Sequence, residues 1–213
     1  MVYLYGAGGH AKVVIDVLEA LKIKIGAIVD DYQQLPEILG YPVYRNSFLE
    51  TLDAGSEIII TIGFNETRKE IAEKLKINFL RPIVHPSAIV SKYAFIDIGT
   101  VIIHGAIIQA EARIGKHCIV NTGASVGHEC NVSNYVHIAS NATLCGNVSI
   151  GQCTWIGAGS VVIPGVKIGN NCMIGAGSVV VRDIPDNVVV FGNPARVVKT
   201  NIKFKLSETV GID

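Results

Sequence analysis

From Val84 onward every sixth residue is a large aliphatic: Val84, Val90, Ile96, Ile102, Ile108, Ile114, Val120, Val126, Val132, Ile138, Leu144, Ile150, Ile156, Val162, Ile168, Ile174 and Val180. The position two residues earlier stays small or modest throughout, as in Ala88, Ala94, Thr100, Ala106, Cys118, Ala124, Cys130, Thr154, Ser160, Cys172 and Ser178. A period of six is neither the two of a half-buried strand nor the 3.6 of a helix. It fits one short strand and one turn per unit, so three units carry the chain round one coil. Successive coils then pair as parallel strands about 4.8 Å apart. The seventeen units give five to six coils, a rod roughly 25–30 Å long by that spacing. Large aliphatics fill the interior of the prism. The small residues sit where a corner leaves little room, and Cys118, Cys130 and Cys172 read as small buried hydrophobes there. Tight corners explain runs such as Asp97-Ile98-Gly99 and Gly169-Asn170-Asn171.

The first eighty residues follow a different rhythm. Val2-Tyr3-Leu4-Tyr5 is β-prone, Gly6-Ala7-Gly8-Gly9-His10 is a loop, and Val13, Val14, Val17, Leu18 and Leu21 share one helical face. Ile25–Val29 and Glu57–Ile62 read as further strands. A polar helix over 66–76 carries Ile71 and Leu75 as its apolar stripe. Strands alternating with helices predict a small parallel α/β sheet of the Rossmann kind. The expected organisation is an α/β domain over 1–82, an all-β parallel helix over 83–199, and a polar, weakly ordered tail over 200–213.

Composition narrows the function classes. The 213 residues balance 18 Lys and Arg against 18 Asp and Glu. Zero net charge argues against nucleic-acid binding by phosphate neutralisation and against a polybasic membrane binder. The apolar stretch near the N-terminus is interrupted by His10, Lys12, Asp16 and Glu19, so neither a spanning helix nor a signal segment is expected, and the reading is cytoplasmic. The five cysteines are an odd number with no Cys-x-x-Cys, which indicates neither a disulfide framework nor a zinc site.

Three patterns carry candidate chemistry. The glycine loop before the first helix suits a phosphate, because glycines admit the ligand to unpaired helix N–H groups. Asp30 lies about twenty residues on, where a ribose-binding acid would sit. A third glycine is replaced by Ala11, and His10 has no place in a dinucleotide pattern; a nucleoside diphosphate carrying a sugar fits the same geometry. Among six histidines only His128 is followed by an acid, in Gly127-His128-Glu129-Cys130. That is the pairing a general base requires, or else a solvated pair at a corner. Gly157-Ala158-Gly159 and Gly175-Ala176-Gly177 lie eighteen residues apart and so stack on one edge. Trp155 reads as packing, and His85, His104 and His117 as surface residues.

The repeat and the closing segment Phe191-Gly192-Asn193-Pro194-Ala195-Arg196 resemble the hexapeptide-repeat acyltransferases. The whole chain is similar to the bacterial nucleotide-aminosugar N-acetyltransferases of the bacillosamine type, within the subgroup also labelled sialic-acid O-acetyltransferase-like. The resemblance implies a left-handed coil, although generic crossover rules favour the right hand. It implies contact of Gly8, Gly9 and His10 with the nucleotide sugar, and of Asp30 and Asp31 with the nucleoside. Gly63, Asn65, Arg68 and Lys69 match a motif after the third strand, with Gly63 on the substrate side. His128 would be the general base and Glu129 its acidic helper. His137 would contact the acetyl end of acetyl-CoA, or else pack on the outer face; His10 has helix capping as its alternative. Ala158 and Ala176 would line the acetyl-CoA arm, or simply pack a corner. No metal is implied, and no lid loop, since the six-residue phase never slips. A homotrimer with sites between subunits is implied. The acceptor class expected is a 4-amino-4,6-dideoxy or 4-amino-2,4,6-trideoxy sugar on UDP, dTDP or GDP. O-acetylation of a sugar hydroxyl and a non-enzymatic nucleotide-sugar-binding scaffold are the competing readings.

Overall fold

The computed structural model describes residues 1–32 and 35–201; the tail expected beyond lies outside the described residues from 202 on. The N-terminal part runs β1 (Val2–Tyr5), α1 (Gly9–Ala20), β2 (Ile25–Val29), β3 (Glu37–Ile38), β4 (Tyr41–Tyr44), a 3-10 turn (Asn46–Thr51), β5 (Glu57–Ile60), α2 (Asn65–Lys74) and β6 (Asn78–Phe79). The strand order is β3-β4-β2-β1-β5-β6, parallel except for the β3–β4 hairpin. Periodicity located β1, β2 and β5 but not the two-residue β3 and β6 or the mixed β4, which are too short or too polar to show a pattern. α1 buries Ala11, Val14, Ile15, Val17 and Leu18, close to the face expected.

α2 departs from expectation. Its fully buried residues are Asn65 and Arg68, while Ile71 and Leu75 are only half-buried. The helix packs on a row of backbone carbonyls, so a polar face wins over the apolar stripe.

From Ile83–Val84 to Val179–Val180 the chain forms seventeen two-residue strands in three parallel sheets. Register is eighteen residues throughout: His137 pairs with Ile119 below and Trp155 above. The second residue of each strand points inward. Ile102, Ile108, Ile114, Val120 and their successors form one continuous buried core. The small slots are buried as expected, and their polar members use the space to hydrogen-bond: Thr100, Thr154 and Ser160 hydroxyls donate to the carbonyls of Gly115, Gly169 and Gly175, fifteen residues on. An antiparallel hairpin, Val188–Gly192 with Ala195–Thr200, closes the top of the first face.

A third slot is visible only in the backbone. Every sixth residue from Gly99 to Gly177 has positive φ: six are glycines and three asparagines, but Glu111, His117, Glu129, Tyr135 and Cys153 occupy it too. Left-handed backbone costs a non-glycine residue roughly 1–2 kcal/mol. Each corner from Gly99 to Gly177 turns through one such residue.

The two parts share a core. The outward residues Ile83, Val101 and Ile119 on the first face of the coil, with Ile103, pack with Val14, Ile15, Leu18, Ile59 and Leu80. The α/β layer thus covers the lower coils of that face, and α2 ends the cover below Trp155 and Met173.

Candidate active site

His128 and Glu129 form the turn between Ser125–Val126 on the second face and Asn131–Val132 on the third. Glu129 takes the left-handed slot (φ 59°). Its N–H donates to the Ala110 carbonyl at 3.1 Å, and the Asn147 N–H donates to the His128 carbonyl at 2.8 Å. Neighbours on a strand would point apart, but this corner turns both side chains outward and brings Nδ1 of His128 to 2.9 Å from Oε2 of Glu129. Both side chains remain more than half exposed (59% and 58%). A neutral imidazole that donates from Nδ1 to a carboxylate keeps its lone pair on Nε2, the arrangement of a general base. The ring lies over Gly146, one coil higher: a Cβ there would stand 2.5 Å from both Cε1 and Nε2 of His128.

A second group of side chains lies at the seam between the two parts. His137, on the first face, is buried; its Nε2 is 3.1 Å from Nδ2 of Asn121, its ring packs on Trp155 at 4.1 Å, and its Nδ1 has no hydrogen-bond partner. Burial first, then the charges of Arg68 and His10, push its pKa down to about 3. His10 is the second residue of α1, and Nε2 of its ring is buried without a partner. Burial, then Arg68, lowers its pKa to about 4. The N-cap of α1 is Gly8, with no side-chain cap, so the capping reading of His10 is set aside. His117 is corrected: it is buried rather than a surface residue. Its ring fills the space over Gly99, edge-on to Phe79 at 4.5 Å and parallel to Tyr135 at 5.5 Å. The corner that carries it is covered by β6 and α2, which the hexapeptide pattern does not reveal. His85 and His104 are half-buried and stack on each other at 3.7 Å.

The glycine loop is open at Gly8 and Gly9, and the loop after β5 is open at Gly63; only Gly6 is crowded. A Cβ at Gly8, Gly9 or Gly63 would meet nothing within 4 Å. Gly6 is the constrained member, with φ +112° and a Cβ position 2.7 Å from Ile62. Asp30 turns back on this loop: Oδ2 accepts the Ala7 N–H at 2.7 Å and Oδ1 the Tyr32 N–H at 2.8 Å. Asp31 accepts the Asn46 N–H at 2.9 Å and also its side-chain amide. The two acids therefore hold the loops around β1, β2 and β4 in place.

Above α2 the bare part of the first face forms a groove of about 460 Å³, lined by Phe64, Trp155, Ala158, Met173, Ala176 and Phe191. Gly157 and Gly175 make it possible: a Cβ on the first would strike the Ile174 carbonyl at 2.5 Å, and on the second the Phe191 ring at 1.8 Å. Ala158 and Ala176 thus line a real depression. Trp155, expected as packing, is one of its walls, as are Phe64 and Phe191, which the sequence reading did not single out. Their shared location follows from stacking at eighteen residues and from the closing hairpin. The structure does not bring His128 to this groove within one chain. Ala158 and Ala176 sit on the edge between the first and second faces, His128 on the edge between the second and third.

Among the described residues no group of three or more His, Cys, Asp or Glu side chains is arranged to hold a metal ion. Among the described residues no helix is long and apolar enough to cross a membrane.

A parallel β-helix capped on one face by a small α/β sheet with an open glycine loop, an apolar groove above it and an exposed His–Glu corner defines a class, the hexapeptide-repeat transferases. Comparison with known proteins agrees. Residues 1–75 match the PglD N-terminal domain and residues 147–182 the bacterial transferase hexapeptide repeats. The chain is 39% identical to perosamine N-acetyltransferase from Caulobacter crescentus, a structure in complex with CoA and GDP-perosamine, with 93% of this chain and 96% of that one covered at a TM-score of 0.89. It is 36% identical to the acetyltransferase domain of PglB from Neisseria gonorrhoeae, covering 92% and 98% at a TM-score of 0.88. A UDP-N-acetylbacillosamine N-acetyltransferase from Bacillus subtilis is 42% identical over 109 residues, which are 47% of this chain and 50% of that protein; the match spans half the length of that relative. The chain belongs to the hexapeptide-repeat N-acetyltransferases of nucleotide-linked amino sugars, and its coil is their left-handed parallel β-helix.

Proposed function

We propose that this protein transfers the acetyl group of acetyl-CoA to the amine of a nucleotide-linked 4-amino-6-deoxy sugar, with His128 as the general base. The observation that carries the reading is the His128–Glu129 pair, joined at 2.9 Å on an open corner. The Caulobacter relative supports the substrate classes, since its structures hold CoA together with GDP-perosamine, and in two of them a histidine is substituted.

The chemistry follows from the groups available. The amine nitrogen attacks the thioester carbonyl, the C–N bond forms, and the carbonyl electrons move to oxygen. Nε2 of His128 takes the proton from the nitrogen, and Glu129 stabilises the resulting imidazolium through Nδ1. Collapse breaks the C–S bond, and the proton passes to the departing thiolate. Gly8, Gly9, His10 and Gly63 hold the sugar diphosphate, Asp31 edges the nucleoside site, and Asp30 keeps the glycine loop in shape. The pantetheine arm lies in the groove along Ala158 and Ala176, with neutral His137 near its acetyl end. Because His128 and this groove occupy different edges of one prism, the working site takes His128 from a neighbouring copy, which a closed threefold assembly supplies.

The test is a mass-spectrometric turnover assay with acetyl-CoA and UDP-, dTDP- and GDP-linked 4-amino-6-deoxy sugars. An alkali-stable acetylated product is expected, with kcat lowered on the order of 10²–10⁴-fold in His128→Ala and less in Glu129→Gln. An alkali-labile ester, or unchanged acetyl-CoA with every amine, would overturn the reading. Sedimentation gives the copy number, and a monomer that turns over would overturn the shared site.

A further inference from the structure

On the edge between the third and first faces, the left-handed slot is filled by His117, Tyr135 and Cys153. They lie eighteen residues apart, so their carbonyls stand in a column, one per coil. α2 lies along this column. Nε of Arg68 donates to the His117 carbonyl at 2.7 Å and Nη2 to that of Tyr135 at 3.1 Å. Nδ2 of Asn65 donates to the Cys153 carbonyl at 3.0 Å, and Oδ1 of Asn65 accepts from Nη2 of Arg68 at 2.6 Å. The remaining donors of the guanidinium face the other way: Nη1 reaches the carbonyls of Ile62 and Gly63 at 2.8 and 2.9 Å. All five N–H donors of Arg68 are used, and four of the five acceptors are main-chain carbonyls. The side chain is 1% exposed, and among the described residues it makes no salt bridge.

A buried cation without a carboxylate is costly unless its donors are fully matched. What this one achieves is geometric. It ties the backbone of the coil to the backbone of the loop that follows β5, through main-chain carbonyls on both sides. That loop carries Gly63, one of the residues proposed above to hold the sugar diphosphate. We propose that Arg68, with Asn65 beside it, is a positioning residue that fixes the Gly63 loop at one height on the coil, so that the bound sugar amine and the acetyl carbon meet in register. The proposal rests on the acetyl-transfer reading above. It explains why a planar fork is needed: a lysine ammonium offers three donors from a single point and cannot reach both the column and the loop. It also accounts for α2 burying polar residues in place of its apolar stripe.

The test is steady-state kinetics on Arg68→Lys and Asn65→Ala, each checked for folding by its thermal transition. Arg68→Lys is expected to raise the KM for the nucleotide sugar at least tenfold and to lower kcat, while the KM for acetyl-CoA stays within threefold, because Ala158 and Ala176 lie on the coil itself. Asn65→Ala, which keeps the guanidinium, is expected to raise the nucleotide-sugar KM about fivefold, and it carries the test if the lysine variant does not fold. Equal changes in both KM values, or an unchanged nucleotide-sugar KM in a folded variant, would overturn the proposal. If the wild-type protein turns over no amine, the acetyl-transfer reading fails instead. Calorimetric dissociation constants for CoA and for UDP or GDP then read the same contrast: weaker nucleotide binding with unchanged CoA binding supports the positioning role, and parallel changes overturn it.

Discussion

His128 owes its placement to two residues that carry no chemistry of their own. Its carbonyl is held by the Asn147 N–H, and its ring occupies the space that the missing side chain of Gly146 leaves. Gly146→Ala would put a methyl 2.5 Å from Nε2. The ring is exposed and free to swing aside, so the unfolding midpoint should hardly move, whereas kcat should fall about tenfold or more as the base leaves its line of approach. A kcat within twofold of wild type would show that the ring does not need this platform. At this scale the sequence was informative about contact between adjacent residues, as in the His128–Glu129 pair. It was silent about contact made by stacking. Nothing local to His117 marks it as buried, because the residues that cover it, Phe79 and Tyr135, are 38 and 18 positions away.

Elements in this molecule are only two residues long, so each owes its stability to the coils above and below. Ile138 shows this: it is completely buried, in the middle of the stack, paired to Val120 and Ile156. Ile138→Ala should destabilise the fold by about 2–5 kcal/mol, the range for emptying such a site, measured by urea unfolding; a loss below about 1 kcal/mol would mean that the prism collapses around the gap. The period of six made the inner aliphatic slot and the small slot legible from the sequence, since both are chosen for volume. The left-handed slot was harder to read. Nine of its fourteen occupants are glycine or asparagine, but Glu111, His117, Glu129, Tyr135 and Cys153 break the pattern. Three of these five offer their carbonyls to Asn65 and Arg68, and a fourth is the proposed helper of the base. Strain at such positions often accompanies function. α2 was misread for the opposite reason, because an apolar stripe of two residues says little when the opposing surface is polar backbone.

For the whole molecule, the seam between the α/β layer and the coil holds a titration. His10, His117 and His137 stay neutral in the folded protein, with pKa values lowered to about 4, 4 and 3, mainly by burial. Unfolding returns each to its ordinary value near 6.5. Below that pH the unfolded chain binds protons that the folded chain refuses, so stability is complete above about pH 6.5 and declines as pH falls toward the folded values. Each histidine contributes up to about 1.4 kcal/mol per pH unit across that window. Urea midpoints between pH 7 and pH 4 should fall accordingly, and His117→Asn should flatten the decline. A flat wild-type profile over that range would contradict the burial of these rings. The architecture as a whole was legible because repetition amplifies a weak local signal. The seam was not, since it joins residues of two different rhythms.

The α/β layer also acts as a ruler. It covers the first face up to His137, and only the coils bearing Trp155 and Met173 are left bare below the closing hairpin. The length of the groove proposed for the pantetheine arm is therefore counted in whole coils between a fixed floor and a fixed roof. Grafting one further eighteen-residue turn beneath the hairpin would lengthen the bare face by about 4.8 Å and leave the glycine loop and the His128 corner untouched, so reach can be adjusted in steps of one strand spacing.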